Sequence, residues 1–266
     1  MNTNMQTITD SFAAYLYVSG ASPATIRHRT QTIKRLCASG LNPLECSASD
    51  LIGWLARFPS PATRHSYRSA LRAFYTWAVM FSQVEKDPSL MIPKVKVPRT
   101  LPRPVADKTL AALLDLATGE TRAVVSLMAY CGLRGAEACN VQARDFYRSG
   151  DAWRLRITKP KGGGTQTVPV PSWLVERTRD YFPIGASYET MIHRISYLLA
   201  SIEPGATPHS LRHWYATTAL HQSGNVRIVQ ELLRHKSLSS TQIYTQVTNS
   251  DASAVAEELP HIEGLI

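Results

Sequence analysis

The 266-residue sequence is short of several things at once. Its four cysteines, Cys37, Cys46, Cys131 and Cys139, stand nine residues apart in the first pair and eight in the last. Neither spacing suits a zinc site or a CxxC redox pair, so they read as reduced thiols of a cytosolic protein. No apolar run approaches the ~18 residues that a membrane span needs. Residues 1–9 are polar and lack the basic-then-apolar order of a secretory signal; the expected compartment is the cytoplasm or nucleoid. Neither GxxxxGK[ST] nor HExxH occurs, which argues against a P-loop nucleotidase and a zinc protease. Dense Lys/Arg runs, internal repeats and low-complexity tracts are missing as well.

What is present is a surplus of positive charge on a globular composition. Lys and Arg number 29 against 20 Asp and Glu, for a net charge of +9, and 44% of residues are hydrophobic, enough for a buried core. The basic residues are interspersed with apolar ones, which suits a folded DNA-binding surface better than a basic tail. Residues 1–85 read as four helices. The first spans about 7–19 and stops at Gly20. Ser22-Pro23 opens the second, which runs to about Ser39 and closes at Gly40. The third covers 49–58, and Ser60-Pro61 opens the last, with Tyr67, Ala70, Leu71, Phe74, Trp77 and Ala78 on one stripe. Arg27 and Arg29 lie on the second helix. Arg64, Arg68 and Arg72, each four residues apart, share one face of the fourth. No acidic residues interleave to pair with that face, so DNA contact is preferred over a merely solvated basic surface.

Residues 86–104 hold five prolines together with Lys94, Lys96, Arg99 and Arg103. Repeated proline prevents helix and stiffens the path, so this stretch reads as a basic linker suited to lie along a duplex. From 105 to 266 helices return, interrupted by two β-type segments, 153–158 and 166–170, flanking Lys159-Pro-Lys-Gly-Gly-Gly as a small hairpin with a loose turn. The chain is therefore expected to be mostly α: a small helical domain, a linker and a larger helical domain with one small antiparallel sheet.

The chemistry is concentrated in the second half. Arg134 follows a glycine break and opens a helix, where a guanidinium can clamp a phosphate bidentately; Glu137, three residues on, can orient it. Lys161 sits in the hairpin turn, free to protonate a departing alkoxide. His209 and Arg212 are one helical turn apart and converge on one point. His213 reads as structural, because a cation at His209 and His213 would be repelled by Arg212. His235 precedes Tyr244 by nine residues. No carboxylate cluster accompanies this set, so it predicts phosphoryl transfer without metal or other cofactor, through a protein nucleophile.

Together the strings AYCGLRGAE, KPKGGGTQTVPV, HSLRH and LLRHKSLSSTQIYTQV resemble the tyrosine recombinase (phage integrase) family, in its order and at about its spacings. The resemblance covers residues 106–259, and the first four helices look like the family's core-binding (SAM-like) domain. It implies that Arg134, Lys161, His209, Arg212 and His235 are catalytic and that Tyr244 is the nucleophile. Arg234 stands where the family usually has glycine. The implied reaction forms a 3′-phosphotyrosyl link, with Arg134, Arg212 and His235 on the non-bridging oxygens, His209 as base and Lys161 as acid. A partner strand then reverses the step through a Holliday junction. The implied partner is double-stranded DNA at core-type attachment sites, bound by a chain that is monomeric when free and tetrameric on synapsed DNA, with an accessory directionality factor. Residues 249–259 read as a terminal helix passed between subunits. The chain begins almost at the first core-binding helix, so it is expected to be a minimal two-domain recombinase without an arm-binding domain. Phage integration in a bacterial host is the first expectation. An Xer-like dimer resolvase or a transposon recombinase is the alternative. A type IB topoisomerase and a non-catalytic DNA-binding regulator of the same fold are the rivals outside recombination.

Overall fold

The computed structural model describes residues 3–98, 101–158 and 164–234. The chain divides into two compact units, Met1–Arg99 and Thr100–Ile266.

The first unit is built from α1 (Thr3–Val18), α2 (Pro23–Ala38), α3 (Ala48–Ala56) and α4 (Pro61–Met80). Their starts are written in side-chain caps. Ser22 accepts from the Thr25 N–H, Ser60 from the Thr63 N–H, and Ser47 exchanges bonds with Asp50 in a reciprocal box. Pro23 and Pro61 occupy the first turns of α2 and α4, where a missing N–H costs nothing. The core is aromatic: Phe12 meets Phe74 edge-on at 5.3 Å between centroids, and Trp54 stacks on Tyr67 at 5.4 Å. Phe12 and Phe74 have no exposed surface, and truncating either to alanine would cost about 3–5 kcal/mol. Tyr75 is equally buried, its hydroxyl donating to the Pro43 carbonyl at 2.7 Å.

Pro88–Met91 forms a 3-10 turn in which Ser89 is buried, and Ile92 joins the same core. Arg68 Nε donates to the Ile92 carbonyl at 3.1 Å and Arg72 Nη1 to that of Ser89 at 3.5 Å. The start of the proline-rich stretch is thus stitched onto α4 rather than running free.

The second unit wraps α6 (Gly119–Tyr130), whose residues Ala123 to Ala129 are all buried. A helix apolar on every side belongs inside. Around it lie α5 (Asp107–Leu116), α7 (Gly135–Cys139), α8 (Ser172–Thr178), α9 (Tyr188–Ile202), α10 (Pro208–Ser223) and α11 (Val226–Leu233). The sheet has three antiparallel strands in the order β1 (Phe146–Ser149), β2 (Ala152–Ile157), β3 (Gln166–Val170). Leu155 pairs with both Phe146 and Val168, all three buried. Pro169 sits opposite Arg154 on β3, an edge strand that tolerates the lost donor. The strand β1 was outside the expected hairpin: four residues with only Phe146 buried are too few to show alternation. All four cysteines are free thiols. Among the described residues no helix is long and apolar enough to cross a membrane.

Candidate active site

Between α6 and α7 the chain makes a tight break at Cys131-Gly132-Leu133-Arg134. Gly132 takes a φ of 61°, and a Cβ there would lie 2.4 Å from the Tyr215 ring. Only glycine allows α10 to pack so closely on this turn. Arg134 then caps α7 in an extended conformation, with Glu137 in the first turn. The Glu137 carboxylate accepts from the Arg134 backbone N–H at 2.9 Å and from its Nη1 at 2.8 Å. The spacing of the two residues thus yields both a helix cap and an oriented guanidinium.

Arg212 arrives from the first turns of α10. It donates through Nη1 to the Gly132 carbonyl and through Nη2 to the Leu233 carbonyl at 2.6 Å, joining the ends of α6 and α11. Its Nη1 also lies 3.9 Å from Glu137 Oε2. Beneath it a small apolar cluster of Ala216, Leu220, Val229 and Leu233 ties α10 to α11. Immediately after α11, Arg234 Nη2 donates to Glu137 Oε2 at 2.7 Å. One carboxylate therefore stands among three guanidinium groups, of which only Arg134, with a side chain 31% exposed, reaches solvent appreciably. Burial works to raise the Glu137 pKa, but the charges of Arg234 and Arg134 and the Arg134 N–H together hold it below the ordinary carboxylate value.

His209 opens α10 on the same side as Arg212, its ring meeting His213 edge-on at 4.6 Å between centroids. Burial, then the charges of Arg212 and Arg134, push its pKa below the ordinary imidazole value, so it is neutral at pH 7 and able to accept a proton. Burial pushes His213 down to about 4, and it packs against His209 as a neutral spacer. Tyr215, also beside this turn, is no competing nucleophile: burial pushes its hydroxyl up to about 12.

The structure thus brings Arg134, His209 and Arg212 together, with Glu137 among them. Lys161, His235 and Tyr244 lie outside the described residues, as does the expected helix at 249–259. Of the expected DNA contacts, Lys94, Lys96 and Arg27 are exposed. Arg64, by contrast, donates to the Phe58 and Pro59 carbonyls, so with Arg68 and Arg72 it serves the fold of its own unit as well as presenting charge. Arg234 was not anticipated at the site. Its signal in the sequence was a large cation at the helix end, where a left-handed residue, usually glycine, is wanted.

A neutral histidine among clustered arginines is a set suited to an anion such as a phosphate. Comparison with known proteins gives the chain its family. The phage integrase family model matches residues 184–251, a stretch containing His209, Arg212, His235 and Tyr244. Tyrosine recombinase XerC of Chromobacterium violaceum is 31% identical over 265 residues, covering 88% of each chain. Tyrosine recombinase XerA of Pyrococcus furiosus is 28% identical over 286 residues, covering 97% of this chain and 96% of its own. In fold, the chain is similar to a lambda integrase dimer bound to a COC′ core site, with a TM-score of 0.73 at 16% identity over 90% of this chain and 76% of that one. It is also similar to XerH recombinase bound to a palindromic difH substrate, at 0.61 and 18% over 90% and 82%. The chain belongs to the tyrosine recombinase family and is a site-specific DNA recombinase, an enzyme that transfers DNA strands.

Proposed function

We propose that this chain cuts one DNA strand with the Tyr244 hydroxyl, holds it as a 3′-phosphotyrosyl link, and passes it to a partner strand through a four-way junction. The observation that carries the reading is the Arg134–Glu137–Arg212 cluster with a neutral His209 beside it. As tyrosine attacks, negative charge grows on the non-bridging oxygens of the phosphate, and preorganised guanidinium groups stabilise that charge. Arg134, the exposed member, is the direct clamp, and Arg212 sets the floor of the site with its charge. A free tyrosine hydroxyl, with a pKa of ~10, is a weak nucleophile until its proton has a destination. His209 is that acceptor, and His235 is a further donor to the phosphate. Lys161 returns a proton to the leaving 5′-oxygen, so the bond broken to DNA is replaced by one to the enzyme and nothing is lost to water.

Lys94, Lys96, Arg27 and Arg29 extend the positive surface toward the duplex backbone, with residual contributions from Arg64, Arg68 and Arg72. Residues 1–85 then act as the core-binding domain, 86–104 as the connection and 105–266 as the catalytic domain. Four such chains assemble on two duplexes, linked through residues 249–259. Phage integration is the first reading of the role, with an Xer-type dimer resolvase, which the names of the relatives also suit, as the alternative.

Tyr244→Phe tests the chemistry. On a nicked suicide duplex the variant is expected to bind as wild type does but to form no covalent adduct. A 3′-linked adduct in that variant would place the nucleophile elsewhere.

A further inference from the structure

Arg234 is in an unusual position on three counts. Its backbone lies at φ 56° and ψ 43°, the left-handed region that a residue with a Cβ seldom adopts, at the end of α11. Its side chain is only 4% exposed. Two of its three nitrogens, Nε and Nη1, are buried and have no hydrogen-bond partner among the described residues. Each feature works against stability: a strained backbone, a desolvated cation, and donors taken from water with no partner among the described residues. Burial pulls the guanidinium pKa down, with Glu137 opposing. A glycine would satisfy the backbone without any of these costs.

The pairing of its side chain with Glu137 explains what Arg234 does. Glu137 Oε2 is gripped from two sides, by the Arg134 N–H and by Arg234 Nη2, while Oε1 is left to Arg134 Nη1. Two anchors on one oxygen fix the plane of the carboxylate, and that plane aims the Arg134 guanidinium. There is also a charge argument. Arg134, Arg212 and Arg234 against Glu137 leave an excess of two positive charges in a mostly buried cluster. Without Arg234 the carboxylate would cancel half of what Arg134 and Arg212 offer. An anion that gains charge during the reaction is what such an excess fits.

We propose that Arg234 is a positioning residue for strand cleavage: through Glu137 it holds the Arg134 guanidinium in place, and its own charge keeps the cluster positive without touching DNA. The proposal rests on the reading of Arg134 as the phosphate clamp. With two donors unpaired among the described residues and the backbone strained, the side chain serves the reaction at the expense of the fold.

The test uses the full chain on a nicked duplex carrying the site at which the wild-type protein forms its covalent adduct. Arg234→Gly is expected to melt no lower than wild type and to bind the duplex with unchanged Kd, while single-turnover cleavage falls about 10²-fold, the scale of a misplaced clamp. Arg234→Lys, which keeps the charge and one donor, is expected to recover part of that loss. Arg234→Gly combined with Glu137→Gln is expected to be no slower than the slower single variant, because the two act through one contact. Wild-type cleavage by Arg234→Gly, strictly additive losses, or a glycine variant that fails to fold would each overturn the proposal. Arg134→Ala in the same assay separates the two levels. If it cleaves normally, the clamp reading itself is wrong. If it is inactive while Arg234→Gly cleaves at the wild-type rate, only the role of Arg234 is wrong.

Discussion

His209 and His213 lie one turn apart on α10, and both are held neutral, for related reasons. Burial lowers both pKa values; Arg212 adds to each, and His213 also feels His209. For His213 the unfolded value is near 6.5 and the folded value about 4. The unfolded chain therefore binds the proton more tightly in that window. Stability is full above about pH 6.5 and is lost as pH falls toward 4. The melting transition of the second unit, followed between those limits, should drop with acid, and His213→Gln should flatten the dependence. An unchanged slope in that variant would remove His213 as its source. At this scale the sequence was half legible. Arg134 with Glu137, and His209 with Arg212, are readable because three-residue spacing on a helix fixes proximity. Arg234 and Glu137 are 97 positions apart, and no local pattern brings them together.

At the level of elements, the turn between α6 and α7 governs how the site is assembled. The Gly132 carbonyl holds Arg212, and the absence of a Cβ admits the Tyr215 ring. Gly132→Ala adds both a left-handed strain and a contact of 2.4 Å with that ring. The expected cost is about 1–3 kcal/mol of stability from the strained backbone alone, together with slower cleavage, because the displaced carbonyl is the one that positions Arg212. Thermal melting and single-turnover cleavage check the two effects, and a variant matching wild type in both would show that the turn relaxes freely. The helices α2 and α4 were legible because each start carries a serine cap and a first-turn proline. The weaker element, β1, carries a single mark, the two-residue Gly150-Asp151 turn that closes its hairpin with β2, with Gly150 at φ 61°; its four residues, only Phe146 of them buried, are too short for a strand pattern. The arginine row on α4 was legible only in part. Even spacing reveals a shared face, but not that Arg68 and Arg72 on it donate to the carbonyls of residues 92 and 89.

For the whole molecule, a net charge of +9 sets how the chain meets its substrate. A recombinase contacting about 6–10 phosphates should lose roughly 10³–10⁵ in affinity between ~50 and ~200 mM salt. Lys94 and Lys96 are exposed, so their replacement by glutamine should lower the salt slope by about one per lysine, without altering the melting temperature. A slope that does not move would return these two lysines to ordinary solvated surface. Arg68 and Arg72 are unsuited to the same experiment, since their loss unpicks Ile92 and Ser89 from the first unit.

Arg212 has an architectural role beside the catalytic one proposed for it. Its guanidinium ties the end of α6 to the end of α11 from a side chain only 2% exposed. A substitution there removes the keystone of three helices along with a cation, so an inactive Arg212 variant says little about mechanism by itself. For capturing a bound, uncleaved complex, the nucleophile proposed at Tyr244 is the better place for a silent lesion, since Tyr244→Phe removes one oxygen atom and leaves the arginines in place.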